Sequence, residues 1–382
     1  MDASRSLPTV TELRLAAFGT HRGAVFPLAP VTLFAGPGGS GKSTALQAYE
    51  ALARLGAGDC LEEAFPDPSG CVPEGSEADA EGRRGFRIGC TVQGPAGPVR
   101  LDLALQAEPE LRIVGERLSI GEQTLLATAL RDPGRSTVQA AWHTGGDVPV
   151  TRAPLPDDLL GTALLPLRVA GRTEGQLKVL AAAEQMVVAL RSVYVCDPQP
   201  QRMRGRVTVG AGRLRRGCDN LAEVLLRTQS ECAIRYRELV AAAREGCAGP
   251  VETVRAEELA DGTVRAVLGR GGERSTPLGR LGDGELRYLA LALVLLTGDR
   301  VLAMDPAHEV PEALQSLTFL LDGFDRCLDT RQSRSLLELA ARTCARENRR
   351  VVGAVGEGSA AAAYAREVAG VTVVDLSRDR TT

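Results

Sequence analysis

The chain has 382 residues, 44% hydrophobic and 24% charged, enough for one large domain or two ordinary ones. A formal net charge of −3 excludes a protein that coats nucleic acid by bulk charge, so any contact with DNA must come from a local patch. The longest apolar run, residues 289–296, is far shorter than a membrane span, and no charged-then-apolar leader opens the chain. We therefore expect a cytoplasmic protein with no membrane partner.

The first part of the chain predicts strands followed by a helix. Residues 10–18 predict a strand, and a second short strand follows the turn at 19–23. Residues 31–35 are an apolar run that ends in a glycine cluster, as expected for a buried strand that leads into a loop. Residues 43–55 have apolar residues at helical spacing. Residues 56–84 lack periodicity, are rich in Gly, Pro and acidic residues, and predict a long exposed loop.

The middle of the chain changes from strands to helices, and the last hundred residues return to alternating helices and strands. Residues 87–130 predict antiparallel strands, residues 174–192 and 220–245 predict helices, and residues 251–268 predict a hairpin that turns at Asp261-Gly262. The remaining predicted elements are a helix at 285–296, a strand at 301–304, a helix at 331–347, a strand at 350–355, a helix at 360–368 and a strand at 371–374.

The most specific motif is a phosphate-binding loop. Residues 36–43, GPGGSGKS, fit GxxxxGK[ST] and lie between a predicted strand and a predicted helix, which is the context this motif requires. Glycines allow successive backbone N–H groups to surround a phosphate, and the helix N-terminus adds a positive dipole. Lys42, one of only two lysines among the 45 basic residues, would reach the β- and γ-phosphates, and the Ser43 hydroxyl would bind Mg²⁺. The motif predicts ATP and Mg²⁺ as cofactors, with these nucleotide-binding residues: Gly36, Gly38, Gly39, Ser40, Gly41, Lys42, Ser43 and Thr44.

Two further segments predict the rest of the nucleotide site. Asp305 follows the apolar residues 301–304, and we expect it to hold the metal through water and to act with Lys42 in catalysis. Residues 281–285, LGDGE, form a glycine turn that opens an apolar helix and so predict a second anion site. The predicted nucleotide contacts in this turn are Gly282, Asp283, Gly284 and Glu285.

Along the chain, the phosphate-binding loop comes first, the glycine turn at 281–285 second and Asp305 third. Taken in that order, the three segments resemble the ABC-class (AAA-type) P-loop ATPases, in the branch that contains SMC, RecF and OLD-type proteins. Residues 191–226 add to the resemblance, because a strand, a proline turn and basic residues precede the run NLAEVLL. The resemblance implies an α/β P-loop NTPase of ABC/RecF type with a mixed central sheet, an antiparallel β subdomain and a short helical subdomain in place of a long coiled coil. It also implies that the signature turn of one copy contacts the γ-phosphate of ATP held by another, so that ATP binding produces a homodimer.

The same resemblance predicts how the chain is divided. We expect a nucleotide-binding α/β core built from both chain ends, residues 1–55 and 265–382. Between them we expect the variable exposed loop at 56–84, the antiparallel β subdomain at 85–165 and a helical arm at 166–264.

Three departures from the family concern hydrolysis rather than binding. The family usually places Glu after the metal-binding Asp, to orient the attacking water, and here that position is Pro306, with His308 or Glu309 as substitutes. The signature serine is replaced by Gly282, and the strand at 351–355 leads into GEGS rather than into a histidine that senses the γ-phosphate. These losses predict slow or partner-activated hydrolysis.

The leading interpretation is an ATP-gated dimeric switch in DNA maintenance and repair or in defence against foreign DNA. The main alternative is a hydrolysis-deficient nucleotide-binding module that controls a separate effector chain, such as a nuclease. A transporter ATPase subunit is disfavoured because the switch histidine is missing, and a P-loop kinase would not use the signature turn. A basic segment either contacts the phosphate backbone of DNA or solvates a loop, and no aromatic residues lie nearby to stack on bases. Its arginines are Arg202, Arg204, Arg206, Arg213, Arg215 and Arg216.

Overall fold

The computed structural model describes residues 7–145, 149–304, 311, 315–346 and 348–377. The chain divides into two compact units. The first unit is formed by residues 1–28, 39–193 and 305–316, and the second unit by residues 29–38, 194–304 and 317–382. In the described part of the chain, no helix is both long and apolar enough to cross a membrane.

The first unit contains an eight-stranded antiparallel sheet in the order β2-β1-β4-β5-β6-β7-β8-β9. One face of this antiparallel sheet is apolar, because alternate residues such as Leu101, Leu103 and Leu105 are buried. The strands are β1 (Thr9–Phe18), β2 (His21–Pro27), β4 (Arg84–Gln93), β5 (Val99–Glu108), β6 (Arg112–Ile120), β7 (Gln123–Ala129), β8 (Thr137–His143) and β9 (Val150–Pro156).

The helices of the first unit pack near the apolar face of the antiparallel sheet. They are α1 (Lys42–Ala57), α2 (Leu61–Ala64), α3 (Gly161–Arg168) and α4 (Glu174–Arg191). The buried Gln185 of α4 donates hydrogen bonds to the carbonyl oxygens of Val92 (3.0 Å) and Gly97 (2.7 Å), which ties α4 to the turn between β4 and β5.

The second unit is built on a central five-stranded sheet in the order β10-β15-β16-β3-β17. The pairs β15–β16, β16–β3 and β3–β17 are parallel. Every residue of β3 is buried, as is typical of a strand covered on both faces. The strands are β3 (Val31–Gly36), β10 (Val193–Cys196), β15 (Leu317–Leu321), β16 (Arg349–Gly356) and β17 (Val371–Asp375).

Among the described residues of the second unit there are also six helices and a small second sheet. The helices are α5 (Pro200–Met203), α6 (Leu221–Glu231), α7 (Ala233–Gly246), α8 (Asp283–Leu296), α9 (Thr330–Arg346) and α10 (Ala360–Ala365). The small sheet contains β11 (Val207–Thr208), β12 (Thr253–Glu258), β13 (Thr263–Gly269) and β14 (Ser275–Pro277). From Leu286 to its end, α8 is buried, so this helix lies inside the core of the unit.

Several predicted elements are corrected. The helix predicted at 220–245 is two helices, because Cys232 is extended (φ −148°, ψ 92°) between α6 and α7. The strand predicted at 301–304 is wrong: a 3₁₀ turn covers Asp299–Val301, and Leu302 makes only an isolated bridge to Leu214. The strand beside β16 is instead β15, which the sequence analysis missed.

Two further differences concern the N-terminal third. β1 and β2, which we expected in the nucleotide-binding core, belong to the antiparallel sheet, because β1 pairs with β4. The segment 56–84, expected to be an exposed loop, contains the short helix α2 and a 3₁₀ turn at Ser69–Cys71.

Candidate functional site

The predicted phosphate-binding loop has the expected local structure. β3 ends at Gly36 and α1 begins at Lys42, with Gly41 in the left-handed region (φ 91°). The Nε2 atom of His21 lies 3.0 Å from the Gly41 carbonyl oxygen, and since a carbonyl only accepts, His21 must be the donor. A Cβ on Gly41 would clash with the side chains of Thr20 and His21. Both the backbone conformation and the packing therefore require glycine at this position.

The geometry of the loop fits a phosphate group. At Gly38 and Gly39, a Cβ would meet no atom within 4 Å, so space is open beside both backbones. The Ser40 Oγ is buried and has no hydrogen-bond partner among the described residues. Lys42 is half-buried and Ser43 is exposed in the first turn of α1, which contains no acidic residue. The positive end of the helix dipole, the open cradle and the orphaned hydroxyl all suit an anionic ligand.

Asp322 is an acidic residue at an end of the central sheet, since it directly follows β15. Because β15, β16 and β3 are parallel, their carboxyl ends share one edge of the sheet, and Asp322 lies on the edge at which Gly36 begins the loop. The predicted metal ligand Asp305 and the predicted base Glu309 lie outside the described residues, as do Pro306 and His308. The segment before Asp305 is not a strand of the central sheet, so Asp322 is the better candidate for the metal ligand.

The residues that follow β15 and β16 also lack the side chains expected for rapid hydrolysis. Asp322 is followed by Gly323, so no carboxylate directly follows this aspartate either. Gly356 is in register with Gly36, and the next N–H, that of Glu357, donates to the Gly36 carbonyl oxygen (3.1 Å). The exposed Glu357 therefore lies beside the start of the phosphate loop.

The predicted signature turn is the N-terminus of α8. Gly282 is the N-cap, and its N–H donates to Glu285 Oε2 (3.2 Å), while Glu285 Oε1 accepts from the Ala248 N–H (2.8 Å). The Asp283 carboxylate accepts from Arg204 Nη2 (2.6 Å). A Cβ on Gly284 would clash with the carbonyl oxygen of a residue in the loop after β15, so the turn and this loop approach each other closely. Gly282 offers no hydroxyl for a phosphate, which leaves only backbone donors.

Sequence reasoning missed Arg287, a fully buried arginine on α8. Its Nη1 donates to Asp197 Oδ1 (3.0 Å) and to the Pro198 carbonyl oxygen (2.6 Å). Its Nη2 donates to the carbonyl oxygens of Asp322 (3.2 Å) and Gly323 (2.7 Å). Arg287 thus fastens the signature helix to the strand end that carries the candidate metal ligand. The signal in the sequence is a lone arginine inside the apolar run that follows the signature.

The basic segment is largely engaged in contacts within the second unit. Three of its arginines form ion pairs: Arg204 with Asp283 (2.6 Å), Arg206 with Asp261 (3.3 Å) and Arg215 with Asp219 (2.8 Å). Arg202 donates to Gln199 (3.3 Å), Arg216 has a partner as well, and Arg213 is exposed. Pairing with carboxylates lowers the charge that this segment can offer to a phosphate backbone.

The sequence matches no protein-family model and no curated protein, whereas the fold matches solved structures. An SMC head bound to the C-winged helix domain of ScpA has a TM-score of 0.50 at 12% identity, covering 93% of this chain and 91% of that chain. An SMC head domain from Thermotoga maritima has a TM-score of 0.44 at 14% identity (92% and 90% covered). An SMC head domain with an extended coiled coil, bound to the C-terminal domain of ScpA derived from Pyrococcus furiosus, has a TM-score of 0.48 at 9% identity. This match covers 94% of this chain and 92% of that chain.

The likeness to the first of these structures shows an SMC head-like α/β fold. The expected α/β fold is confirmed at this level, and the ABC-class ATPase activity and the RecF/OLD branch stay predictions.

Proposed function

We propose that the protein is an ABC-class ATPase head that binds ATP and Mg²⁺ and forms a homodimer when ATP is bound. The observation that carries this proposal is the phosphate loop, whose open glycine cradle and unpartnered Ser40 Oγ stand at the end of β3 in an SMC head-like fold. Lys42 would hold the β- and γ-phosphates, and the Ser43 hydroxyl would be a ligand of the metal. From the topology of the central sheet alone, Asp322 at the carboxyl end of β15 is the candidate for an acidic metal ligand. The bound metal would neutralise phosphate charge, and the N-terminus of α8 from a second copy would contact the γ-phosphate.

We further propose that this head hydrolyses ATP slowly or only with a partner. Gly323 has no carboxylate to orient water, Gly282 has no hydroxyl, and Glu357 stands in place of a histidine. Loss of a general base costs about 10²–10⁴-fold in rate. We therefore expect turnover below about 0.1 per second, against a median near 10 per second for enzymes. This expectation favours a regulatory role in which ATP holds the dimer together and a separate chain, such as a nuclease, does the chemistry.

The first test uses the two lysines of the chain as a matched pair. Molar mass is measured by size-exclusion chromatography with light scattering, with and without ATP and Mg²⁺, for wild type, Lys42→Ala and Lys178→Ala. Lys178 lies on α4, is exposed and bonds only to Gln123 in the described part of the chain. We expect ATP to produce a dimer of wild type and Lys178→Ala, and Lys42→Ala to lose nucleotide affinity and self-association. If both properties survive in Lys42→Ala, the proposal is wrong.

We place the DNA-contacting surface of this switch on the outward face of the antiparallel sheet rather than on the basic segment. Register puts Arg14 opposite Gly89, Gly89 opposite Asp102 and Asp102 opposite Arg117, so these residues share one face. Arg87 is next to this row, and within the described residues neither Arg87 nor Arg117 forms an ion pair. A groove runs along this face of the antiparallel sheet, and part of its lining is made of small residues. Small residues let a phosphate backbone come close to the sheet. They are Ala16, Gly23, Gly89, Ala104, Gly115 and Ala127.

Binding of a fluorescent DNA duplex at several salt concentrations tests this surface. We expect the Arg87→Glu/Arg117→Glu variant to bind at least tenfold more weakly than wild type and to flatten the slope of log K against log salt by about two. The Arg202→Glu/Arg213→Glu variant serves as the comparison, and we expect a smaller loss. The opposite ranking would assign the DNA site to the basic segment, and no binding by wild type would leave the regulatory module without DNA as its partner.

A further inference from the structure

The first turn of α8 carries two carboxylates, at Asp283 and Glu285. Acidic side chains at a helix N-terminus stabilise the helix, but they also compete with an anionic ligand for the same free N–H groups. Both oxygens of Glu285 accept hydrogen bonds from backbone N–H groups, those of Gly282 and Ala248, so this carboxylate caps the N-terminus of the helix with both oxygens engaged. Asp283 is 40% exposed at its side chain and depends on side-chain partners instead.

Arg204 is the main partner of Asp283. Its Nη2 donates to Asp283 Oδ1 (2.6 Å), and its Nη1 donates to the carbonyl oxygens of Gly279 (2.7 Å) and Leu281 (2.8 Å). One guanidinium therefore neutralises the carboxylate and fixes the backbone of the turn that precedes the helix. Gln201 Nε2 is a weaker second partner of the same carboxylate, at 3.2 Å from Oδ2.

We propose that Arg204 is a positioning residue of the signature turn: it pairs Asp283 so that the N-terminus of α8 can receive the γ-phosphate of ATP held by a second copy. This inference rests on the function proposed above. Because Gly282 supplies no hydroxyl, the attraction between the turn and a phosphate comes from backbone N–H groups and from the net charge around them. An unpaired Asp283 would add a full negative charge beside the phosphate, which opposes dimerisation.

A double-mutant cycle of Arg204→Gln and Asp283→Asn separates neutralisation from other roles. Sedimentation equilibrium with ATP and Mg²⁺ gives the dimer dissociation constant, and a fluorescent ATP analogue at low protein concentration gives the affinity of the monomer. We expect Arg204→Gln to weaken the dimer at least tenfold and to leave the monomer's affinity for nucleotide unchanged. The double variant restores the net charge of the turn, and we expect its dimer within about threefold of wild type, since charge pairing is the role proposed.

Arg265→Gln is the matched control, because Arg265 on β13 also pairs with a carboxylate of the second unit, and that carboxylate belongs to Glu257 (2.9 Å) rather than to the signature turn. We expect its dimer to match wild type. Arg204→Lys, which keeps the charge, should lose less than Arg204→Gln, and the thermal midpoint of each variant reports whether it folds.

Three results would overturn the inference. The first is a dimer dissociation constant of Arg204→Gln equal to that of wild type. The second is a double variant whose dimer is as weak as that of Arg204→Gln alone. The third is a dimer of Arg265→Gln that is weakened as much as that of Arg204→Gln. A wild-type protein that stays monomeric with ATP would overturn the proposed function and this inference with it.

Discussion

The buried arginine of the signature helix allows the most quantitative prediction. Arg287 has a side chain that is only 1% exposed, and it satisfies one carboxylate oxygen and three backbone carbonyl oxygens. In Arg287→Met, the apolar replacement keeps much of the volume, but the carbonyl oxygens of Pro198, Asp322 and Gly323 lose their donor. Removing one partner of a buried charged network costs about 3–5 kcal/mol, and each unsatisfied acceptor accounts for about 1–3 kcal/mol of such losses.

This loss is large enough to measure by thermal unfolding of the nucleotide-free protein. For a domain of about 150–250 residues, 1 kcal/mol shifts the midpoint by about 2–4 °C, so we expect Arg287→Met to unfold about 6–20 °C below wild type. The matched control is Arg326→Met. Arg326 also contacts Asp197, at 3.4 Å, but its side chain is 54% exposed, so we expect a loss of at most about 1 kcal/mol.

The same variant also tests the assignment of Asp322. Since Arg287 holds the Asp322 carbonyl oxygen, we expect Arg287→Met to weaken Mg²⁺-dependent ATP binding more than ATP binding measured in a chelator. Arg287→Lys keeps one charge without the planar fork of donors and should fall between wild type and Arg287→Met. A midpoint for Arg287→Met within 3 °C of Arg326→Met would refute the reasoning that a buried hydrogen-bond network is involved.

Three further changes have distinct expected outcomes. Gly41→Ala forces an L-residue into a left-handed conformation against His21 and should lower both nucleotide affinity and the thermal midpoint, by about 1–3 kcal/mol of stability, as measured by analogue binding and calorimetry. Gly284→Ala meets the Cys327 carbonyl oxygen and should abolish the ATP-dependent dimer while the monomer still binds nucleotide; a normal dimer in sedimentation would contradict this. Burial raises the pKa of Glu223, but hydrogen bonds from an asparagine amide and two backbone N–H groups outweigh it and leave that pKa below its ordinary value of 4.5. The ionised Glu223 therefore stabilises the fold fully above pH 4.5, and this stabilisation is lost as the pH falls through the lowered pKa. In urea unfolding at pH 7, Glu223→Gln should lower the free energy of unfolding by about 1–3 kcal/mol. The stability of this variant should also depend less on acid pH than that of wild type.

The parts of the site that could be predicted from the sequence are those whose geometry is local. The phosphate loop needs only glycines at fixed offsets between a strand and a helix, and the structure places Gly36 and Lys42 at those two ends. The hairpin turn at Asp261-Gly262 was predicted for the same reason, and Gly262 has the positive φ of 76° that such a turn requires. The apolar spacing of α8 also fixed its extent within two residues of the prediction.

The identity of the metal-binding acid stays a prediction, because it depends on long-range pairing. Several apolar runs in this chain end in aspartate, among them those at 193–197, 301–305, 317–322 and 371–375, and composition does not distinguish them. Register adds what composition lacks: the run at 317–321 is a strand of the central sheet, in which Leu317 pairs with Arg349 and β16 in turn pairs with β3. Strand pairing of this kind depends on cross-strand packing rather than on local propensity. The sequence therefore favours the run at 301–304, which follows directly after the helix predicted at 285–296. The role of Arg287 could not be predicted for a related reason, because its hydrogen-bond partners are 35–90 residues away in the sequence.

The prediction of slow hydrolysis does not depend on which aspartate binds the metal. Moving the metal ligand from Asp305 to Asp322 changes the following residue from Pro306 to Gly323, and neither side chain can orient water. The proposed phosphate binding, in contrast, would use backbone N–H groups of the loop and of α8, which persist when side chains are lost. A chain that keeps its backbone donors and lacks its catalytic side chains would retain ATP as the bond between two copies while giving up rapid turnover. Dimers that persist for many minutes with ATP and dissociate on nucleotide removal would support this separation, and rapid dissociation with release of phosphate would contradict it.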